Sequence, residues 1–301
     1  MGIRTYQGSV TIITGGASGL GKALGLEIAR LGGAEIVVSD IQREMAEETA
    51  EQIRRLGARA TVEIVDVRDA EAVERMVAAA HERAGRIDYV FNNAGLGVMG
   101  EAHLLEARDW QLTLDVNVYG VVNVIRAAYP RLVDQGFGHL VNTASLAGLM
   151  GTPFLSAYCA AKHAVVGLSK AMRVEAAHHG VRVTALCPGV VKTPILTSGA
   201  FGRTIYEITD ARLLQWWKQF KPGDVDVFAK ECLDEVARNK PIIVLPKHNR
   251  ATATLFRMFP ALEEKIASKL YASTLARFPE MRPPKRAKAT TGAAEAAAPT
   301  A

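Results

Sequence analysis

"TIITGGASGLGKALGLEIARLGG", residues 11–33, changes its period halfway along. Up to Thr14 it is β-branched and apolar, as a buried strand requires, whereas from Leu20 onward the apolar residues return at helical spacing. Gly15, Gly19 and Gly21 fall at the junction. Glycine there permits a tight turn and lets backbone amides close on a phosphate group, and the helix N-terminus adds a favourable dipole.

The same strand-to-helix alternation continues outward. "EIVVSD" precedes a helical stretch at 45–56, "ATVEIVD" one at 70–84, and "IDYVFNN" one over 109–134. "GHLVNTAS" precedes the helix containing "SAYCAAKHAVVGL"; "VRVTALCPG" follows, and "PIIVLP" closes the series behind a helical stretch at 225–239. Repeated strand and helix imply parallel pairing, right-handed crossovers and helices on both sheet faces. The expected fold is α/β, a Rossmann-type doubly wound parallel sheet of about seven strands, forming a single domain with a C-terminal helical extension. Ligands in such sheets bind outside the carboxyl ends of the strands, so the residues just after each strand are the candidates for function.

Bulk properties narrow the class. The chain has 301 residues, 49% hydrophobic and 22% charged, enough for one sizeable core, and its formal net charge is +5. Much of that charge lies at the end, where Arg282, Lys285, Arg286 and Lys288 stand against Glu295 alone. The body offers no strong electrostatic case for nucleic acid and no interleaving of aromatic and basic residues. Cys159, Cys187 and Cys232 are far apart and form no C-x-x-C pair, so neither a disulfide framework nor a zinc site is expected. Seven histidines show no metal-ligand spacing, and no metal is expected. No apolar stretch reaches the ~18 residues of a membrane span, and a cytoplasmic protein is expected, without membrane association.

Asp40 ends the second strand, nineteen residues after Gly21, where a carboxylate can accept hydrogen bonds from both hydroxyls of an adenosine ribose. The same charge would repel a 2′-phosphate, and neither Ala17 nor Ser18 offers a cation to hold one, so NAD is expected over NADP. Capping of the next helix is the alternative for Asp40, and Arg43 lies close by. Asp66, at the end of the third strand, either accepts from an adenine amino group or caps the helix that starts in "RDAEAV".

These residues resemble the short-chain dehydrogenase/reductase family over about 8–246. Its T-G-x-x-x-G-x-G pattern stands as Thr14-Gly15-Gly16-Ala17-Ser18-Gly19-Leu20-Gly21, and its N-N-A-G as Asn92-Asn93-Ala94-Gly95. Asn117 in "NVYG", Ser145, the Y-x-x-x-K of Tyr158 and Lys162, and Pro188-Gly189 complete the series. The resemblance implies a cofactor site of Gly15, Ser18, Gly19, Leu20, Gly21, Asp40, Asp66, Val67, Asn93, Ala94, Gly95, Tyr158, Lys162, Pro188, Gly189, Val191 and Thr193. Asn92 is expected to tie two strand ends together, Gly95 to let backbone approach the adenosine, and Thr193 to contact the carboxamide. The catalytic set it implies is Asn117, Ser145, Tyr158 and Lys162. Tyr158 takes the hydroxyl proton of an alcohol, or donates it in reverse, while Lys162 holds the nicotinamide ribose. Ser145 bonds the substrate oxygen, and Asn117 orders a water that relays protons.

A free phenol, with a pKa of about 10, is a poor base, so the sequence reading has Lys162, one helical turn away, and an oxidised nicotinamide together draw Tyr158 towards neutrality. The expected reaction interconverts an apolar secondary alcohol and its ketone with NAD. The alternatives are a ketone reductase using NADPH and a non-catalytic dinucleotide-binding regulator.

Residues 1–250 are read as the catalytic domain, with a substrate lid over about 190–223. Phe201, Leu213, Leu214, Trp216, Trp217 and Phe220 there would make an apolar cover, or else pack on the domain or a neighbouring subunit. Residues 251–280 are read as a helical extension broken by Pro260 that packs on the core or extends a subunit interface, a membrane surface being the lesser alternative. Residues 281–301, ending "RPPKRAKATTGAAEAAAPTA", are read as a disordered tail. A homodimer or homotetramer is expected from the resemblance and from the small, apolar "HAVVGLSKAM" of residues 163–172.

Overall fold

The computed structural model describes residues 5–197, 199 and 201–282. In chain order they form β1 (Val10–Thr14), α1 (Gly19–Arg30), β2 (Glu35–Asp40), α2 (Arg43–Arg55), β3 (Arg59–Ile64) and α3 (Ala70–Ala84). Next come β4 (Tyr89–Asn92), β5 (Gly97–Met99), α4 (Ala107–Leu114), α5 (Gly120–Gln135), β6 (Gly138–Thr143), α6 (Ser156–Ala177) and β7 (Val181–Pro188). The last are β8 (Gly202–Thr204), α7 (Asp210–Trp217), α8 (Val225–Ala237), β9 (Ile242–Leu245), α9 (Asn249–Met258) and α10 (Pro260–Arg277).

Seven strands pair in parallel in the order β3-β2-β1-β4-β6-β7-β9, the doubly wound sheet that the alternation predicts. β5 and β8 pair separately as a short parallel ribbon above it. Strand order reverses between β1 and β4, and the crevice over that point is where the carboxyl ends open. Alternate residues of each strand feed opposite cores. Ile12, Val90 and Leu140 pack with α3, α5 and α6, whereas Ile13, Phe91 and Val141 pack with α1, α2 and α8. Acidic side chains start several helices: Asp69 accepts from the amides of Glu71 and Ala72 at α3, and Asp224 from those of Asp226 and Val227 at α8.

The structure corrects four expectations here. The single helix over 109–134 is interrupted by a π-helical segment, Asp115–Tyr119, between α4 and α5. Asp66 lies beyond the end of β3 and does not cap α3, since Asp69 does. The span around 190–223 is not a bare loop, because it contains β8 and α7. The helical extension does break at Pro260, as expected: α9 ends at Met258, and Pro260 opens α10 in its first turn, where a missing amide costs nothing. Met281, read as part of the tail, is fully buried, and the rest of that tail from residue 283 lies outside the described residues.

β6 carries a buried titratable group. His139 Nε2 lies 2.8 Å from Thr184 Oγ1, and the Thr184 hydroxyl itself donates to Lys240 O at 2.7 Å. The histidine must therefore donate from Nε2, leaving a bare Nδ1 that has no partner. Burial, assisted by Arg182 and Arg173, pushes its pKa down to about 3. Between pH 6.5 and 3 the unfolded chain then binds a proton that the folded chain refuses, so this group's contribution to stability is lost as pH falls through that window. His139→Gln keeps a donor for Thr184 and cannot titrate. Its unfolding midpoint should fall less steeply between pH 6.5 and 4 than the wild-type midpoint does, as thermal melts at stepped pH would show.

Candidate active site

The turn from β1 into α1 is held shut by close contacts. A Cβ on Gly21 would run into the Gly15 carbonyl, and one on Gly15 would come 2.9 Å from Ala94 Cα, so both positions require glycine. Thr14 and Asn93 lace this turn to the end of β4. Thr14 Oγ1 accepts from the amides of Asn93 (3.0 Å) and Ala94 (3.1 Å), and Asn93 Nδ2 donates to the carbonyls of Thr14 and Gly15. Ser18 sits at the N-cap of α1 with no side-chain bond back to the helix. The first amides of α1 therefore lack that internal partner and adjoin the cleft lined by Gly15, Ser18, Gly19 and Leu20.

Asp40 lies in the same cleft, buried to 5% exposure, its two oxygens accepting from the amides of Ala17 (3.1 Å) and Gln42 (3.1 Å). It braces the glycine turn and does not cap α2 through its side chain. Asp66, Val67, Asn93, Ala94 and Gly95 line the cleft beside it, as do Pro188, Gly189, Val191 and Thr193 further along. Arg68, which the motif reading did not single out, also lines it and grips both oxygens of Asp66 (Nε at 3.0 and 2.9 Å), holding that carboxyl below its usual range. The only sequence signal was its place two residues after Asp66.

Asn92 does tie elements together, donating to Val121 O at 2.9 Å and approaching Asn142 Oδ1 at 3.4 Å. A Cβ on Gly95 would come within 2.7 Å of Asn117 Oδ1 and 3.4 Å of Lys162 Nζ. Asn117, fully buried in the π-helical segment, donates to Leu96 O (2.9 Å) and Thr113 O (3.0 Å) and accepts from the Leu96 amide (3.2 Å). Both of its N–H donors are thus committed to backbone, so the side chain anchors the strand leading to β5. A π-bulge is the local device that turns this side chain inward.

α6 presents Tyr158 and Lys162 one turn apart on the wall of the cleft. Lys162 is 2% exposed, donates to Thr143 O at 2.9 Å, and stands 5.5 Å from the centroid of the Tyr158 ring. One of its three donors is used there, leaving two for the cleft. Ser145 Oγ accepts from the Ala147 amide at 3.1 Å and is 3.4 Å from Pro188 O, too long to engage its proton firmly.

The electrostatics of the protein's own groups favour the protonated phenol. Burial pushes Tyr158 up to about 12, against a hydrogen bond from Ser145 that works the other way, while the thiols of Cys159 and Cys187 raise it further. Burial likewise pushes Lys162 down to about 8. The lysine therefore does not by itself make the phenol a neutral-pH base; desolvation in this enclosed wall outweighs it.

The cleft, about 520 Å³, continues past Tyr158 between Leu96, Met99, Leu155, Leu196, Phe201, Leu213, Trp217 and Phe220. Of the apolar residues expected to cover it, Trp216 on α7 is instead fully buried, donating to Thr274 Oγ1 at 3.1 Å, and Leu214 is exposed. Among the described residues no cluster of histidine, cysteine or carboxylate could hold a metal, and no helix is long and apolar enough to cross a membrane.

Comparison with known proteins agrees with this geometry. Residues 9–200 match the family model for short chain dehydrogenases. The chain is 32% identical over 271 residues to SadH, an oxidoreductase of Mycobacterium tuberculosis, covering 88% of this chain and 95% of that one. It is 37% identical over 192 residues to the cyclohexanol dehydrogenase of an Acinetobacter strain, covering 64% and 76%. A short chain dehydrogenase/reductase from Burkholderia phymatum, solved in complex with NAD, superposes with a TM-score of 0.76 at 29% identity, covering 86% of this chain and 96% of that one.

Proposed function

The chain belongs to the short chain dehydrogenase family, and on that footing we propose that it uses NAD to interconvert an apolar secondary alcohol and its ketone. The observation that carries the reading is the gathering of Ser145, Tyr158 and Lys162 on one wall of the cleft whose other end holds Asp40 and the glycine turn. The residues fit a dinucleotide: the turn excludes side chains, first-turn amides adjoin the cleft, and a buried carboxylate lines it beside them. Bound there, the nicotinamide would supply a hydride acceptor or donor at one face and, when oxidised, a positive ring.

The protein's own part is proton handling and orientation. Ser145 has a loosely held hydroxyl to give to a substrate oxygen, and Tyr158 takes the proton from that oxygen as the carbinol carbon loses hydride, or donates one to it as the carbonyl carbon gains hydride. Lys162 has two donors for the cofactor ribose and adds positive charge beside the phenol. A proton path through Asn117 would have to use its carbonyl side or backbone, because its amide protons are occupied. A phenol pushed to about 12 is protonated at neutral pH and ready to donate, which favours ketone reduction there and alcohol oxidation at higher pH.

NAD is favoured over NADP because the Asp40 carboxylate lines the cleft beside the glycine turn and Arg68, which also lines it, is tied to Asp66. Asp40→Ser should lower kcat/KM for NAD by about tenfold and raise that for NADP, as removal of a charge worth a few kcal/mol against a phosphate predicts. Initial rates with both nucleotides check this. The broader test is absorbance-monitored NAD reduction across aliphatic, aromatic and steroid alcohols. Turnover of none of them, with NAD still bound, would favour a dinucleotide-binding regulator instead.

A further inference from the structure

The cleft is not completed by the sheet and its immediate loops. Beyond β9, the chain returns as α9 and α10, and Phe256, Ile266, Ala267 and Leu270 from these helices line the same cleft as Tyr158. α10 is fixed over it by contacts on both sides. Glu263 accepts from the Gly151 amide at 2.5 Å, in the segment between Ser145 and Tyr158 that also lines the cleft. Tyr271 stacks on Phe154 at 5.2 Å and donates to Glu101 Oε1 at 2.9 Å. Phe154 is buried with a φ of 69°, a costly conformation for a bulky residue, retained here within the aromatic cluster of Tyr206, Trp216 and Tyr271. α10 thus has two apolar faces. Thr274, Leu275 and Phe278 belong to the packed cluster around Trp216, while Ile266, Ala267 and Leu270 face a space that no protein side chain fills.

We infer that α10 is the specificity wall of this enzyme, and that the cleft is built for a carbinol or ketone bearing a long or bulky hydrocarbon group, which extends from Tyr158 to Ala267 and Leu270. A small polar alcohol would leave these side chains facing water, whereas each methylene brought against them is removed from it. The inference rests on the proposed dehydrogenase reading only for the chemistry at Tyr158; the hydrocarbon site itself does not need turnover.

The test uses the full chain and two matched series, 2-alkanols from four to twelve carbons for NAD-linked oxidation and the corresponding 2-alkanones for calorimetric binding. Transfer of a methylene from water is worth about a fourfold change in affinity, so kcat/KM and ketone affinity should climb by two- to fourfold per carbon until the wall is met. Ala267→Phe places a ring in the open space and should cut the twelve-carbon to four-carbon ratio of kcat/KM at least tenfold. Leu270→Ala should move the plateau to longer chains. Thermal melts and NAD affinity, both unchanged, would show that the variants remain folded.

A flat chain-length profile in the wild type, or the same slope in Ala267→Phe, overturns the inference. If ketone affinity rises with length and falls in Ala267→Phe while no alcohol is turned over, the hydrocarbon site stands and the dehydrogenase reading fails. If alcohols are oxidised equally at every length, the reverse holds.

Discussion

Tyr158→Phe should lower kcat in both directions by about 10³-fold, within the 10²–10⁴ range of a positioned acid–base group, and leave NAD affinity within a factor of about two. The substitution deletes only the hydroxyl. The ring keeps its place on α6, and the first-turn amides of α1 and the carboxylate of Asp40 are untouched. Rates measured both ways, beside a fluorescence titration of the nucleotide, separate this outcome from a general loss of structure.

The pH dependence follows from the same group. Bringing a phenol from about 12 to near 7 requires about 5 pKa units, or roughly 7 kcal/mol. The value of about 12 already holds with Lys162 in place, 5.5 Å from the ring centroid, so a second adjoining positive charge is required. Alcohol oxidation should therefore rise with pH across the neutral range, while ketone reduction, which needs the protonated phenol, holds level and then falls. A reductive rate that climbed with pH would contradict a tyrosine donor.

The second large effect combines lost activity with unimpaired stability. Lys162→Met keeps a stem of similar length and removes a charge that burial penalises, as its pKa of about 8 records. At pH 7 that penalty is on the order of 3 kcal/mol, and the substitution relieves it. Against this, Thr143 O loses its donor, which costs about 1–3 kcal/mol. The net change lies between neutral and about 2 kcal/mol stabilising, so the melting temperature should hold or rise by up to about 4 °C. Activity should nonetheless fall by about 10²- to 10³-fold with a higher KM for NAD, because the cleft loses its buried cation. Raising the pH from 8 to 10.5 stabilises the wild type through this group, since the unfolded lysine keeps a proton that the folded one releases; the variant lacks that rise. Calorimetry against pH, with NAD kinetics, checks both parts.

Local patterns disclosed much of this. Short continuous apolar runs separated by helical ones specify strands buried on both faces, and residues such as Ile12 and Ile13 divide between the two cores as that pattern requires. Tyr158 and Lys162 were legible as a pair because helical spacing alone puts them on one face. What sequence reading could not supply depends on partners distant in the chain. Asn117 was visible, but its engagement with Leu96 follows from a π-helical segment whose residues look like ordinary helix. Trp216 reads as one more lid aromatic, yet its partner Thr274 is contributed by α10.

The sequence by itself determined the order of elements, the glycine turn and the identity of the polar residues around it, because each depends on backbone sterics and side-chain spacing within a few residues. Only the tertiary structure decided that burial raises the Tyr158 phenol and that α10 walls the cleft. Desolvation and cavity shape are sums over atoms brought together from the whole chain, and no local pattern contains them.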